Sequence, residues 1–249
     1  MERKSRLHEK SEIQSFQLKG STIELYTSPD LFLPNATTRL FSKAVEIRPG
    51  DVVFDVGSGV GPLAIWAAEK PSKRVHAVEI VLEQCEFLRM NVELNQVEDK
   101  VEIYNGSLLE PIPLGTLADV LIADVSGIAE RPARILGWYP SSIPSGGTDG
   151  TDTTIEVLEQ AATYLAEGGR LYFPLAVGLA DEKKIMDVAR ARFQKLDEKV
   201  SVNFPLSMEA GEAVLKGAEP FIHLTKRPIP SPTRAFTWRG KIYEATEPT

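Results

Sequence analysis

The chain has 249 residues, 43% of them apolar, and 28 basic against 35 acidic side chains give a formal net charge of −7. That length suits one α/β domain with an extension and a tail, and the acidic balance carries no strong nucleic-acid signal. One cysteine, Cys85, excludes an internal disulfide framework and points to a reducing cytoplasm, the first residues lack the apolar segment of a secretory signal, and no run is long enough to cross a membrane.

Residues 1–12 are polar and charged and read as a frayed end or a short helix. Phe16 to Tyr26 alternates about Lys19-Gly20-Ser21, the pattern of a β-hairpin. Ser28 to Pro34 is a turn-rich link, and Thr37 to Ile47 reads as a helix ending at Pro49-Gly50. Strands then alternate with helices. Strands are expected at about 52–56, 75–80, 101–104, 119–124, 169–175, 197–204 and 220–226, and helices at about 62–69, 81–95, 152–166 and 181–194. The early strands are apolar on both faces, as in Val52-Val53-Phe54 and Val120-Leu121-Ile122, which fits a parallel sheet covered by helices on both sides. Right-handed crossovers between such strands build a doubly wound α/β sheet.

Residues 125–150 break the rhythm with Pro132, Pro140, Pro144 and glycines at 127, 137, 146 and 147. A connection this long after the carboxyl end of a strand lies where open α/β sheets bind ligands. The tail from Pro228 holds a proline cluster and then Phe236 to Tyr243, which reads as a small hairpin or an arm. The chain therefore divides into an extension (1–44), a main domain (45–227) and a tail (228–249).

The densest signal is Val53-Phe54-Asp55-Val56-Gly57-Ser58-Gly59-Val60-Gly61-Pro62, followed by Glu79 at the end of the next strand. Glycines let backbone approach a ligand closely, and the helix that follows presents free N–H groups and a positive dipole end. A dinucleotide fold expects G-x-G-x-x-G; here the third glycine comes one residue early and Pro62 takes its place. Asp55 would repel a pyrophosphate but suits a cationic ligand. Glu79, 20 residues after Gly59, can take both hydroxyls of a ribose.

This constellation resembles the class I S-adenosylmethionine-dependent methyltransferases. The resemblance implies a Rossmann-like, seven-stranded, mostly parallel sheet whose last strand is antiparallel, with S-adenosyl-L-methionine as cofactor. It assigns cofactor roles to Asp55, Gly57, Ser58, Gly59 and Glu79, and places Ile80, Ser107 and Leu108 on the adenine side. Ser107 stands where the family often has an acid. Three more segments are similar to the methyltransferases that modify a glutamine of release factors: Leu31 to Leu40, Asn91-Val-Glu-Leu-Asn95, and Ser145 to Gly150. That branch has Asn-Pro-Pro-Tyr after the fourth strand; this chain reads Ala123-Asp124-Val125-Ser126-Gly127 and lacks both prolines.

Methyl transfer from a sulfonium is an in-line displacement, so the protein chiefly aligns the reacting atoms, and a base is required only where the nucleophile must lose a proton. Asp124, at a strand end beside the methyl group, is the candidate for a catalytic substrate contact as well as a cofactor neighbour; the alternative is a carboxylate that braces its loop. Glu130 can assist or stand as an exposed loop carboxylate. Trp138 and Tyr139 can wall a substrate pocket or anchor the long loop by burial. Phe32 and Thr38, with Pro34, cover the cofactor from the N-terminal side if the resemblance holds, and otherwise pack the extension on the core. Asp149, Thr151 and Asp152 read as helix caps. His8, His76 and His223 match no metal spacing.

The expected function is methyl transfer to a nitrogen or oxygen of a small molecule or protein side chain in the cytoplasm, with no membrane partner; a homodimer through the tail stays open. Two other classes remain. One is a cofactor-binding protein without catalysis, kept open by Asp124 in the asparagine position. The other is a dinucleotide-dependent oxidoreductase, disfavoured by the early third glycine and Asp55.

Overall fold

The computed structural model describes residues 11–29, 31–139 and 145–249. The reading of residues 1–12 therefore falls almost wholly outside the described residues, as do Pro140 and Pro144 of the long connection. The chain forms two compact units. One comprises the residues up to Asp124 together with Thr163–Tyr172, and the other comprises Val125–Ala162 with Phe173–Thr249.

The first unit begins with the hairpin β1 (Glu12–Leu18) and β2 (Ser21–Thr27), antiparallel with Phe16 opposite Ile23. Gly20 turns the chain at φ +73°, a conformation that glycine adopts without strain. Helix α1 (Ala36–Ala44) starts in a capping box. The Asn35 side chain accepts from the N–H groups of Thr37 and Thr38, and the Thr38 hydroxyl accepts from the Asn35 N–H.

The alternating section follows as β3 (Val52–Val56), α2 (Pro62–Glu69), β4 (Arg74–Glu79), α3 (Leu82–Leu94), β5 (Val101–Asn105) and β6 (Ala118–Ala123). The strands lie in the order β5-β4-β3-β6-β7, all parallel, with β7 being Leu165–Val177. That order reverses beside β3, so the chain ends of β3 and β6 flank a switch point, the crevice where open α/β sheets bind ligands. Helix α2 is apolar all round and buried from Pro62 through Ala68, as a helix covered on every side must be. At the opposite end of the strands, Arg170 and Asp51 form a buried ion pair at 2.7 Å.

In the second unit the connection after β6 carries a short helix, α4 (Glu130–Ile135), which the proline content concealed. Helix α5 (Asp152–Tyr164) leads into β7, and α6 (Glu182–Arg192), β8 (Phe193–Leu206), α7 (Met208–Leu215), β9 (Thr225–Ser231) and β10 (Arg234–Pro248) complete the chain. Here the order is β7-β10-β8, with β9 paired to β10. Strands β8 and β10 run antiparallel with Phe236 opposite Leu206 and Pro248 opposite Phe193. The sheet is thus mostly parallel with antiparallel strands at one side, and it has eight strands, β9 being the addition.

One local reading changes. The strand expected at 220–226 begins only at Thr225, leaving His223 in the preceding loop. The tail, read as a small hairpin or an arm, forms the antiparallel hairpin of β9 with β10, a sheet strand of 15 residues. Its buried Phe236 and Trp238 join Leu206, Val214 and Ala235 in the core of the second unit, and Ile242 is also buried. Among the described residues no helix is long and apolar enough to cross a membrane, and no cluster of His, Cys, Asp and Glu can hold a metal ion.

Candidate functional site

The first unit gathers the glycine loop, Asp55, Glu79 and Asp124 at the carboxyl ends of β3, β4 and β6. The loop folds because three glycines take positive φ, at +78° (Gly57), +56° (Gly59) and +97° (Gly61). The N–H groups of Gly57 and Ser58 both donate to Val78 O, and the Gly61 N–H closes the turn on Ser58 O. Gly61 then caps α2, with Pro62 in the first turn. A β-carbon on Gly61 would lie 2.4 Å from Leu88 Cδ1, so the loop also needs that glycine for close helix packing. The Ser58 hydroxyl donates to Asp55 O at 2.7 Å and keeps the turn tight.

Glu79 is buried, and backbone orients its carboxylate. Oε2 accepts from the Gly59 N–H at 2.8 Å and Oε1 from the Val81 N–H at 2.7 Å. Burial raises its pKa above the usual value, and the amides of Val81, Gly59 and Ile80 oppose that rise. Each carboxylate oxygen keeps a second lone pair for a hydroxyl donor. Asn105 fixes the turn from the neighbouring strand by donating to Glu79 O at 2.8 Å and to Ile80 O at 3.1 Å. Ile80 and Leu82, about half exposed at 52% and 48%, lay an apolar edge beside the carboxylate.

Ser107 and Leu108 follow β5, whose succeeding Gly106 N–H donates to Glu79 O. Leu108 is nearly buried and sits at φ +46°. That left-handed conformation costs a non-glycine residue on the order of 1–2 kcal/mol, so the surroundings hold it there.

Asp55 is fully buried, and neither carboxylate oxygen has a hydrogen-bond partner among the described residues. Burial, and then the charge of Asp124, push its pKa up to about 7, while the nearby Ser58 hydroxyl and Ala64 amide temper the rise. The Ser58 hydroxyl is directed at the Asp55 carbonyl, so that tempering leaves the carboxylate oxygens unpaired. An orphaned buried carboxylate is costly unless a ligand completes it. Asp124 lies just beyond the end of β6, and its Oδ2 accepts from the Thr38 hydroxyl at 2.9 Å. Burial pushes its pKa up to about 6 against that hydrogen bond. The capping box of α1 thus delivers Thr38 to Asp124, linking the extension to the strand end.

The remaining residues singled out from sequence lie in the link before α1 or in the second unit. Phe32 lies partly buried in the link before α1. In the second unit Glu130 opens α4 and pairs with Arg134 one turn on. Trp138 packs on Trp238 with ring centroids 5.6 Å apart, and Tyr139 follows it, partly buried. The Ser145-Gly-Gly-Thr-Asp-Gly150 segment packs on its own unit: a β-carbon on Gly146 would lie 2.6 Å from Ser126 O, and one on Gly150 would lie 2.5 Å from Ala129 N. Asp149 accepts from the Thr151 N–H and hydroxyl and pairs with Lys184. Two polar residues of the site carry no sequence signal of their role. Asn105 is visible there only as a strand-end residue, and Gln84 only as one more polar position on a helix.

Residues 30–130 match the TRM5/TYW2 methyltransferase domain family. A ribosomal protein L11 methyltransferase of Bacillus cytotoxicus is 35% identical over 137 residues, which are 53% of this chain and 44% of that protein. A release factor glutamine methyltransferase of Rhodopirellula baltica is 27% identical over 145 residues, 56% of this chain and 49% of that one. The chain thus spans just under half the length of these curated relatives. Among solved structures, Pyrococcus horikoshii TYW2 in complex with MeSAdo shares the fold at a TM-score of 0.54 and 15% identity, covering 94% of this chain and 72% of that one. The precorrin 8w decarboxylase of Methanobacterium thermoautotrophicum does so at 0.53 and 18%, covering 88% and 96%. With a glycine loop at a topological switch point and a backbone-oriented acid after the second parallel strand, the chain has the Rossmann-like fold of these structures, and its residues 30–130 carry the match to a methyltransferase domain.

Proposed function

We propose that the chain moves the methyl group of S-adenosylmethionine to a nitrogen or oxygen of a protein side chain, in the cytoplasm. The observation that carries this reading is the pair of carboxylates at the ends of β3 and β6, Asp55 buried and Asp124 partly buried: among the described residues Asp55 has no hydrogen-bond partner for either carboxylate oxygen, and Asp124 accepts from the Thr38 hydroxyl through Oδ2.

The residues fit the cofactor. Asp55 offers two unpaired oxygens to a cation, the N–H groups of the glycine loop suit a carboxylate, and Glu79 offers lone pairs to a ribose diol. Ile80 and Leu108 supply apolar contact for a flat base. When bound, the sulfonium supplies an activated methyl group. The protein's own part is then alignment. Thr38 occupies Oδ2 of Asp124 and leaves Oδ1 to accept a hydrogen bond from an acceptor amine or hydroxyl, which turns its lone pair toward the methyl carbon. Above a pH of about 6 Asp124 is ionised and accepts that bond. A protein acceptor is favoured because the curated relatives are named for protein substrates, L11 and a release factor. Glu130, Trp138 and Tyr139, on the connection that follows Asp124, are proposed to meet that substrate.

The test is transfer of radioactive methyl groups from labelled cofactor into a cell lysate, with label counted separately in protein, nucleic-acid and small-molecule fractions. Label in protein is expected. Asp124→Asn should lower it at least tenfold with cofactor affinity nearly kept. Glu79→Ala should weaken cofactor binding by about 1–3 kcal/mol by calorimetry, the loss of a charged hydrogen-bonding group. Label confined to nucleic acid or small molecules would overturn the acceptor. Tight cofactor binding with no label anywhere would leave a binding protein without catalysis.

A further inference from the structure

Gln84 is the third residue of α3, just past the Glu79 turn. Its side chain is buried at 3% exposure, yet its Oε1 has no hydrogen-bond partner among the described residues. Among the described residues, and apart from those flanking Gly59, this oxygen is the one heavy atom within 4 Å of the position a β-carbon would take there, at 3.7 Å. The carboxamide therefore points at the glycine whose N–H binds Glu79.

A polar group buried without a partner destabilises the fold, and an apolar side chain of the same size would avoid that cost. A glutamine in this place calls for a ligand that completes it. Rotating the carboxamide by half a turn exchanges its oxygen for its NH2, so the group can accept from a hydroxyl or donate to one. Glu79 can only accept. A ribose hydroxyl that donates to Glu79 still needs a donor for its own oxygen.

We propose that Gln84 is a further cofactor-binding residue, a hydroxyl-reading partner of Glu79 on the ribose beneath Gly59. This rests on the cofactor reading above, and it makes Gln84 a specificity-determining residue for an intact ribose. Gln84 and Glu79 then hold one sugar beside Gly59.

The experiment is calorimetry with S-adenosylhomocysteine and with its 2′-deoxy and 3′-deoxy forms, on wild type, Gln84→Leu and Gln84→Met. Both variants keep the side-chain volume and the helix, and either one serves if the other fails to fold. Both should bind S-adenosylhomocysteine about five- to tenfold more weakly than wild type, the range of one neutral hydrogen bond. The penalty should vanish on the deoxy form that lacks the hydroxyl Gln84 reads. Unchanged affinity in the variants overturns the proposal and leaves the cofactor site intact. An equal penalty on all three ligands also overturns it, since that marks a packing defect. Failure of folded wild type to bind S-adenosylhomocysteine removes the cofactor reading itself, an outcome distinct from both.

Discussion

Asp55 shows how much a single residue can set in this site. An ordinary aspartate loses its proton near 3.8, whereas folded Asp55 holds it to about 7. Between those values the folded chain binds more protons than the unfolded one, so this group's contribution to stability falls as the pH rises from about 4 through 7. Asp124, held up to about 6, adds a shorter slope of the same sign. Asp55→Asn stays neutral throughout. Without ligand, it should melt at a higher temperature than wild type at pH 8 and at nearly the same temperature at pH 3, below the pKa of the unfolded aspartate. The gain at pH 8 should be roughly 2–4 kcal/mol, from the size of the shift. The same variant should bind S-adenosylmethionine more weakly at pH 8. Thermal melts across this range check the first expectation, and parallel curves for the two proteins would refute it. Asp55 and Glu79 are legible in the sequence because strand ends and glycine spacing place them. Gln84 and Asn105 are not, since their meaning lies in where an amide points and what it leaves unpaired.

The hairpin illustrates the scale of the element. Its alternation is plain in the sequence, but what holds it is not. Asn91 and Asn95 stand four apart on one face, at the end of α3 and its cap. Asn91 accepts from the Tyr26 N–H at 2.6 Å and donates to Tyr26 O and to Val60 O; Asn95 treats the Glu24 backbone the same way. Two side-chain amides thus satisfy the edge of β2 as a neighbouring strand would, and Asn91 ties that edge to the glycine loop. The Asn91-Val-Glu-Leu-Asn95 motif reads as a family signature; its physical purpose is this clamp. Asn91→Leu would remove the hydrogen bonds that Asn91 makes to the Tyr26 backbone and to the buried Val60 O, at a cost of roughly 2–4 kcal/mol. Urea denaturation should show that loss, and exchange of the Tyr26 amide should quicken more than amides within β3. Asn95→Ala, on a less buried position, should cost less. Equal stability of the Asn91 variant and wild type would mean the clamp is not holding β2.

At the scale of the molecule, the largest surprise is the tail. Prolines at 228, 230 and 232 leave a small hairpin or an arm open, and a short stretch with one proline cluster carries no signal of a partner about 40 residues back. The parallel core is legible because, apart from the β3–β6 pair at the switch point, neighbouring strands follow one another within one crossover, and the strands are apolar on both faces. The pairing of β10 with β8 is long-range, and it emerges only when the register brings Phe236 opposite Leu206 and Ile242 opposite Val200. Strand β10 also supplies Phe236, whose ring comes within 2.1 Å of where a β-carbon on Gly211 would sit, and Trp238, whose ring centroid lies 4.7 Å from that of Phe204. Strand and core are therefore inseparable in the second unit. Ending the chain before Pro228 should strip β8 of its partner and open that unit's aromatic core to water. The shortened protein should aggregate, or bind hydrophobic dye and lose its cooperative melt, while a chain lacking only Thr249 should melt as wild type does. A truncated chain with the full-length circular dichroism and melting temperature would show that β10 is an appendage after all, and that the core of the second unit closes without it.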